Sequence, residues 1–266
     1  MRCHARFGVI VLTVFAAFGL VGFAQNAESQ GGRFGSTWTY GAEFDFNSRY
    51  IWRSLAWSEG PVWQPTVWLG TSGLTLSVWS NFVLNKEPNY HQFNEVDYRL
   101  SYKKEIGKFT IEPAFNIYSY PNQDQTENPT TGELEILASF NLGDFSLETA
   151  HFIDLIDNPG GYIGEFGLAF EKDMSETLTV NAAARLTLAN AKFNDYYIPL
   201  RHAAVNAFVL EIGLNYSFGD AFYVRPHFEW SELLDPDLKR AVRDSTWVAV
   251  GKSSLVNFGL TFGVEY

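Results

Sequence analysis

Ionisable side chains recur at every second position along several segments of the chain. Because successive side chains of a β-strand point to opposite sides, residues two positions apart share a face. The acidic members of these polar faces are Glu43, Asp45, Glu95, Asp97, Glu112, Glu133, Glu135, Glu165, Glu211 and Glu229. The basic members are fewer: Arg49, Arg53, Arg99, Lys103, Arg185 and Arg225. An excess of carboxylates on one surface focuses negative potential and favours cations over anions.

His227 and Glu229 offer a different chemistry, because they lie two positions apart on one polar face. A histidine near a carboxylate could belong to a Ser/His/acid set or hold a metal ion. We find no serine in a recognisable nucleophile context, and spacing alone cannot assemble such a set. No third metal ligand is visible either. The sequence therefore predicts no enzyme, no metal and no cofactor, with a membrane-bound hydrolase left as an alternative.

The segment from Trp38 to Trp52 shows which element positions these groups. Its apolar face begins and ends with aromatic residues, and its other face carries Glu43, Asp45 and Arg49. Aromatic residues at both ends of an apolar face are typical of a strand that spans a bilayer. We therefore predict a long first strand over 38–52 that is oily on one side and polar on the other.

Eleven further segments repeat this alternation up to Tyr266. Short Gly-containing or Asp-containing turns alternate along the chain with longer polar loops, as in bacterial outer-membrane barrels. Residues 38–266 are thus predicted to form an all-β fold, a transmembrane antiparallel up-and-down β-barrel of about twelve strands. Tyr196–Leu200 or Thr246–Gly251 could change that count by two. A secreted β-sandwich also alternates, but its outer face should be richer in Lys and Glu.

The first 37 residues are predicted to lie outside the barrel. Residues 1–24 combine a basic start, an apolar run and a small-x-small end at Gly22-Phe23-Ala24, as in a secretory signal peptide. A retained membrane helix is the alternative, although the run is short for one. Residues 25–37 are polar and rich in Gly and Ser, which indicates a periplasmic linker. Cleavage would remove the lone Cys3, so disulfides and thiol catalysis are not expected.

Net charge and composition limit the classes of partner that we expect for this chain. The 266-residue chain has a formal net charge of −11. Loss of the leader removes Arg2 and Arg6 and no acid, which makes the charge −13. An acidic balance argues against nucleic acid as a partner. The mean hydropathy of −0.10 is near zero because apolar and polar residues are interleaved.

Three prolines conflict with uninterrupted strands. Pro65, Pro113 and Pro226 fall inside predicted strands on the lipid-facing side. Proline cannot donate to a β-ladder, and a closed barrel has no free edge to accommodate it. We therefore expect β-bulges or shortened strands at these positions.

Two features near the C-terminus carry further predictions. Asp235 followed by Pro236 reads as an N-cap and first helical residue within the loop 232–253, which would place Leu238, Ala241 and Val242 on one side of a short helix. Whether this loop folds into the barrel is left open. The final alternating residues resemble the β-signal that the barrel-insertion machinery recognises, with Tyr266 where phenylalanine is commoner; they are Phe258, Leu260, Phe262, Val264 and Tyr266.

The run Ser48-Arg49-Tyr50-Ile51-Trp52-Arg53 resembles the first-strand motif of an outer-membrane porin family labelled TorF or Gcw-type conserved hypothetical proteins. That motif is Ser-x-Tyr-x-aromatic-Arg followed by Gly, and Ser54 replaces the Gly here. The resemblance covers this short run, and the rest agrees in architecture. Membership would imply an outer-membrane barrel with a poorly defined transport role.

Together these patterns predict a passive, porin-like channel in the outer membrane of a Gram-negative bacterium. Eight-stranded barrels are filled by side chains, whereas 16–18-stranded barrels hold aqueous channels. A twelve-stranded barrel has an intermediate diameter. The acidic interior favours small cations or other small solutes as cargo, with outer-membrane lipid and the insertion machinery as further partners. The alternatives are a closed structural or adhesive barrel, in which the charges pair across strands, and a barrel hydrolase.

Overall fold

The computed structural model describes residues 38–85, 91–244 and 251–266. Twelve antiparallel strands, each paired with its neighbours in sequence, make up the wall. They are β1 Trp38–Asn47, β2 Val62–Thr71, β3 Leu74–Val83, β4 Phe93–Tyr102, β5 Phe109–Ser119, β6 Thr131–Asn141, β7 Phe145–Asp154, β8 Tyr162–Asp173, β9 Leu178–Ala189, β10 Ala204–Phe218, β11 Phe222–Leu233 and β12 Ser254–Glu265. A three-residue segment, Lys104–Ile106, continues β4.

The barrel is closed because the first and last long strands pair with each other. Their antiparallel register runs from Gly41 opposite Glu265 to Asn47 opposite Gly259. The predicted all-β, twelve-stranded barrel is therefore confirmed. The predicted signal peptide (1–24) and linker (25–37) lie outside the described residues, as does most of the alternative strand 246–251.

The two ends of the barrel differ, as the sequence predicts. At one end, here called the turn end, tight turns contain glycines with positive φ, such as Gly73 (84°) and Gly143 (95°). This left-handed conformation suits glycine because it has no Cβ. Tyr40 and Tyr266 also exchange backbone hydrogen bonds at the turn end. The opposite, loop end carries the long connections and two helices, α1 Ala191–Tyr197 and α2 Pro236–Asp244.

The alternation of side chains is confirmed along the wall. Outward residues such as Phe44, Val67 and Leu100 are exposed, whereas their neighbours Glu43, Thr66 and Arg99 are buried. The exposed residues of the last strand include Phe258, Leu260, Phe262 and Tyr266, and Val264 shares their face. An outer surface this apolar fits hydrocarbon, and it leaves the polar groups inside the barrel. No helix in the described part of the chain is both long and apolar enough to cross a membrane.

Three sequence predictions are wrong in detail. The first strand ends at Asn47 rather than Trp52, so Arg49 and Arg53 are not on its inner face. The chain bends at Ser48, whose hydroxyl donates to Asn257 Oδ1 (2.9 Å), and then forms a hairpin of Ile51–Trp52 with Leu55–Ala56. Residues 196–200, offered as a possible strand, instead include the end of α1.

The prolines produce no bulges. Pro65, Pro113 and Pro226 keep regular register with one neighbouring strand, and pairing is interrupted on the other side without a shift. The reason is that both backbone groups of an antiparallel residue point to the same neighbour, so proline weakens one ladder only. The two register shifts lie elsewhere, at Asn81/Phe82 and Thr187/Leu188.

Candidate functional site

The barrel interior brings most of the sequence-predicted polar residues together. Those that are at most 9% exposed are Glu43, Asp45, Arg53, Glu95, Asp97, Arg99, Glu112, Glu133, Glu135, Glu165, Arg185 and Arg225. Glu211, His227 and Glu229 face the same interior and are half-buried. Arg49 is the exception, because it lies in the bend after β1 and its backbone N–H donates to Asn257 Oδ1 (3.3 Å).

Two carboxylates of β1 are each contacted by a side chain of β11. Arg225 Nη2 lies 3.0 Å from Glu43 Oε1, and the Tyr223 hydroxyl donates to the same oxygen. His227 Nε2 lies 3.0 Å from Asp45 Oδ1. These contacts cross the seam where the barrel closes, so they satisfy two buried carboxylates and connect the ends of the chain.

Two arginines each lie between two carboxylates. Arg99 contacts Glu112 (2.9 Å) and Glu135 (3.0 Å), and Asn116 Nδ2 donates to Glu135 (2.7 Å). Because both acids are almost fully buried, this network replaces the water that they lose.

Arg185 is the second of these arginines. It contacts Glu211 at 2.7 Å and Glu148 at 4.0 Å. Glu148 was not among the sequence-predicted site residues. Its position on the same face as Ala150 and Phe152 of an alternating strand could have identified it.

Four interior acids form no ion pair among the described residues: Glu95, Asp97, Glu165 and Glu229. Asp97 Oδ1 and Glu165 Oε2 are also buried without a hydrogen-bond donor in the described part of the chain. The interior carboxylates named above, with Glu148, number eleven against the four guanidinium groups of Arg53, Arg99, Arg185 and Arg225. The interior therefore carries an excess of acid that internal pairing does not neutralise.

The loop after β1 folds back into the loop end of the barrel. Arg53 is 6% exposed and forms a two-pronged contact with Glu133 of β6, with Nη1 to Oε1 at 2.8 Å and Nη2 to Oε2 shorter. The Tyr118 hydroxyl donates to Glu133 Oε2 (2.9 Å). The guanidinium lies over the rings of Trp52 (4.1 Å) and Phe152 (4.7 Å). A residue predicted for the wall is thus held inside the lumen.

Both helices pack against this hairpin. We call the resulting group the mouth cluster; its members are Trp52, Leu55, Trp57, Phe193, Tyr197, Ile198, Leu238 and Val242. The ring centroids of Trp52 and Tyr197 are 5.1 Å apart. Burial of these large apolar groups fixes the hairpin, α1 and α2 together across the loop end.

The helix predicted after Asp235 is confirmed. Asp235 Oδ1 accepts the backbone N–H groups of Asp237 (2.9 Å) and Leu238 (3.0 Å), as an N-cap does. Leu238 and Val242 are buried and Ala241 packs beside them, so the described part of loop 232–253 up to Asp244 packs through this face of α2. The helix contributes Leu238 and Val242 to the mouth cluster.

A cluster of possible metal ligands lies at the start of α2. One ligand atom from each of His202, Asp235 and Asp237 falls within 4.8 Å of the others. His202 Nε2 is 3.2 Å from Asp235 Oδ2. Burial raises the pKa of the Asp235 carboxyl. The hydrogen bonds that it accepts from the backbone N–H groups of Leu238 and Asp237 and from His202 outweigh burial and hold this pKa below its usual value. Because the Asp235 carboxylate already caps the helix, we assign the cluster a structural role.

Around His227, the residues that the structure describes do not form a Ser/His/acid set. Thr261 Oγ1 donates to Asp45 (2.9 Å), so this hydroxyl lies on the carboxylate rather than on the imidazole. His227 itself lies over Gly259, where a Cβ would be 2.1 Å from its Nε2. His227 contacts Asp45 rather than Glu229, the residue two positions away on the same strand. The pair His227–Asp45 is a packed wall contact.

Comparison with known proteins shows similarity in fold. No protein-family model matches the chain, and no curated protein matches it in sequence. A NanC porin structure shares 14% identity with a TM-score of 0.51, over 85% of this chain and 98% of that one. Two further structures are similar. A KdgM porin in complex with disordered oligogalacturonate shares 12% identity with a TM-score of 0.47, over 86% of this chain and 98% of that one. The COG4313 outer membrane channel from Pseudomonas putida F1 shares 11% identity with a TM-score of 0.46, over 87% of this chain and 96% of that one. The chain thus has a porin-like barrel fold.

Proposed function

We propose that the chain is a passive channel in the outer membrane of a Gram-negative bacterium, with a mild preference for cations. The observation that carries this proposal is the excess of interior carboxylates, because ion pairs to the four interior arginines leave Glu95, Asp97, Glu165 and Glu229 unpaired. A low-dielectric wall lined with unpaired acids concentrates cations and repels anions. The cargo would be small solutes or ions.

The proposed orientation of the barrel in the membrane follows from its two unlike ends. The turn end would face the periplasm and the loop end the outside, with a cleaved leader at 1–24 and a periplasmic linker at 25–37. The lipid-facing residues Phe258, Leu260, Phe262, Val264 and Tyr266 would present the insertion signal to the barrel-insertion machinery. Membership in the porin family suggested by the run from Ser48 to Arg53 stays a prediction.

The mouth cluster makes conductance depend on movement of the hairpin after β1. The hairpin is short, and Arg53 and Ser54 both have positive φ (52° and 64°), a conformation that is unfavourable for residues with a Cβ. We therefore propose a channel that is mostly closed at rest and opens when the hairpin leaves the lumen. The packed mouth also supports a second candidate, a closed structural or adhesive barrel.

A planar-bilayer recording in a KCl gradient tests the proposal. The wild type should give rare openings, and a variant with residues 50–57 replaced by a short Gly-Ser linker should conduct steadily. The reversal potential of both should have the sign of a cation-preferring pore. If neither protein conducts, the closed barrel is favoured; clear anion preference would contradict the proposal. Permeability that is unchanged in His227→Ala alongside lost hydrolysis would favour the hydrolase.

A further inference from the structure

The Arg53 guanidinium occupies a complete recognition site for a flat cation. Glu133 supplies both carboxylate oxygens, and Tyr118 orients one of them through its hydroxyl. Phe152 and Phe193 provide ring faces at 4.7 and 5.4 Å from the guanidinium carbon. Bidentate carboxylate contacts and aromatic faces are the features that select guanidinium and ammonium groups. Four of the five residues around the guanidinium come from the barrel wall or α1 rather than from the hairpin.

This site stays acidic even with Arg53 in place. Asp97 lies opposite Tyr118 in the register of β4 and β5, and the Tyr118 hydroxyl donates to Glu133, so Asp97 lies beside the site. Glu95 lies two positions before Asp97 on the same face of β4, and Arg53 forms its ion pair with Glu133 rather than with either of them. Asp97 is 8% exposed, and its Oδ1 has no hydrogen-bond donor among the described residues. Burial of an unpaired carboxylate is unfavourable, so a second positive charge would be stabilised there.

Aromatic side chains line the Asp97 side of the site as well. Asp97 is opposite Trp79 in the register of β3 and β4, and opposite Tyr118 in that of β4 and β5. Tyr50 is buried beside this wall, and its ring is 5.5 Å from that of Trp79. The extra acids thus lie between rings, a setting that suits an alkylammonium group better than a strongly hydrated metal ion.

We propose that the lumen beneath the mouth cluster is a binding site for organic dications that carry a guanidinium or ammonium at each end, and that Arg53 is a tethered occupant of it. The inference rests on the proposed channel function for its biological meaning, although binding itself does not require conductance. A soluble dication displaces Arg53 because it also neutralises Asp97 and Glu95, which Arg53 leaves unpaired.

The test is equilibrium binding of agmatine to the detergent-solubilised full chain, measured by calorimetry at fixed ionic strength. The matched control ligand is 4-guanidinobutanoate, which replaces the ammonium by a carboxylate. Arg53→Gln, which vacates the site, should bind agmatine at least tenfold more tightly than wild type. It should not bind the control, and Arg53→Gln combined with Glu133→Gln should bind neither. Equal binding of both ligands, or no gain in Arg53→Gln, would overturn the site.

Hydrogen exchange on the wild type tests the displacement of Arg53 without depending on the folding of any variant. Agmatine should accelerate exchange of the amides of residues 50–57 by severalfold, because the hairpin leaves the lumen, and 4-guanidinobutanoate should not. Unchanged exchange at saturating agmatine would refute displacement even if Arg53→Gln failed to fold. A barrel that conducts ions but does not bind agmatine disproves only this inference. One that binds agmatine but never conducts disproves only the channel.

Discussion

Arg53 and Glu133 form a buried two-pronged ion pair between positions that are 80 residues apart in sequence. Arg53 belongs to the hairpin after β1 and Glu133 to the wall strand β6. Because both side chains are only 2% exposed, neither charge can be solvated by water if the other is removed. This pair holds the hairpin inside the lumen together with the apolar contacts of the mouth cluster.

Loss of one member of this pair should destabilise the barrel. Arg53→Ala leaves the Glu133 charge buried and unpaired, and we expect the free energy of unfolding to fall by about 3–5 kcal/mol. Urea-induced unfolding of the protein in lipid vesicles, followed by tryptophan fluorescence, measures this. The control is Arg53→Leu together with Glu133→Leu, which removes both charges and should recover most of the loss. A single variant within about 0.5 kcal/mol of wild type would show that the pair is not closed in the membrane.

Neutralising unpaired interior acids should reduce cation preference. Asp97→Asn with Glu165→Gln removes two buried acids that no described arginine contacts, and the cation-to-anion permeability ratio should fall roughly twofold or more. The reversal potential in a KCl gradient reports this ratio. Glu105→Gln is the matched control, because Glu105 lies at the turn end with its side chain 56% exposed. An equal shift in Glu105→Gln would mean that surface charge, rather than the interior, sets the selectivity.

The packing of α2 should depend on Leu238. This side chain is 0% exposed within the mouth cluster, and Leu238→Ala should destabilise the docked helix by about 2–5 kcal/mol. Limited proteolysis should then cut the loop 232–253 faster. Arg240→Ala provides the comparison, because the Arg240 side chain is 71% exposed and should leave the cleavage rate unchanged. Similar rates in both variants would contradict the packing of α2 on the hairpin.

The N-cap of α2 should weaken only in acid. The pKa of Asp235 is held below its usual value of 3.8, so the contribution of this cap to stability is complete above pH 3.8 and is lost as the pH falls through the lower folded value. Hydrogen exchange of the Asp237 and Leu238 amides should therefore keep its protection down to about pH 4 and lose it below that. Asp235→Asn caps without titrating, so its protection should not change over this range. The same acid-induced loss in Asp235→Asn would show that another group is responsible.

The prolines show how far local rules extend. Because proline lacks a backbone hydrogen-bond donor, the sequence predicts a disturbance of the strands, and the structure shows one. It is an interruption of pairing with one neighbour rather than the predicted β-bulge. Each of Pro65, Pro113 and Pro226 loses pairing with one neighbour, while the register on both sides is set by many other residues. The loss of one hydrogen-bond donor costs less free energy than a register shift, because a shift would move the whole apolar face of the strand to the polar side.

The sequence alone determined the twelve strands, their inner and outer faces, the two unlike ends and the N-cap of α2. All of these depend on neighbours within a few positions, so alternation and turn residues are sufficient to predict them. Only the tertiary structure decided that Arg53 leaves the wall to meet Glu133, that α1 and α2 complete the mouth cluster, and which acids stay unpaired. Those contacts join residues tens of positions apart, and their free energies depend on burial that exists only once the barrel has closed.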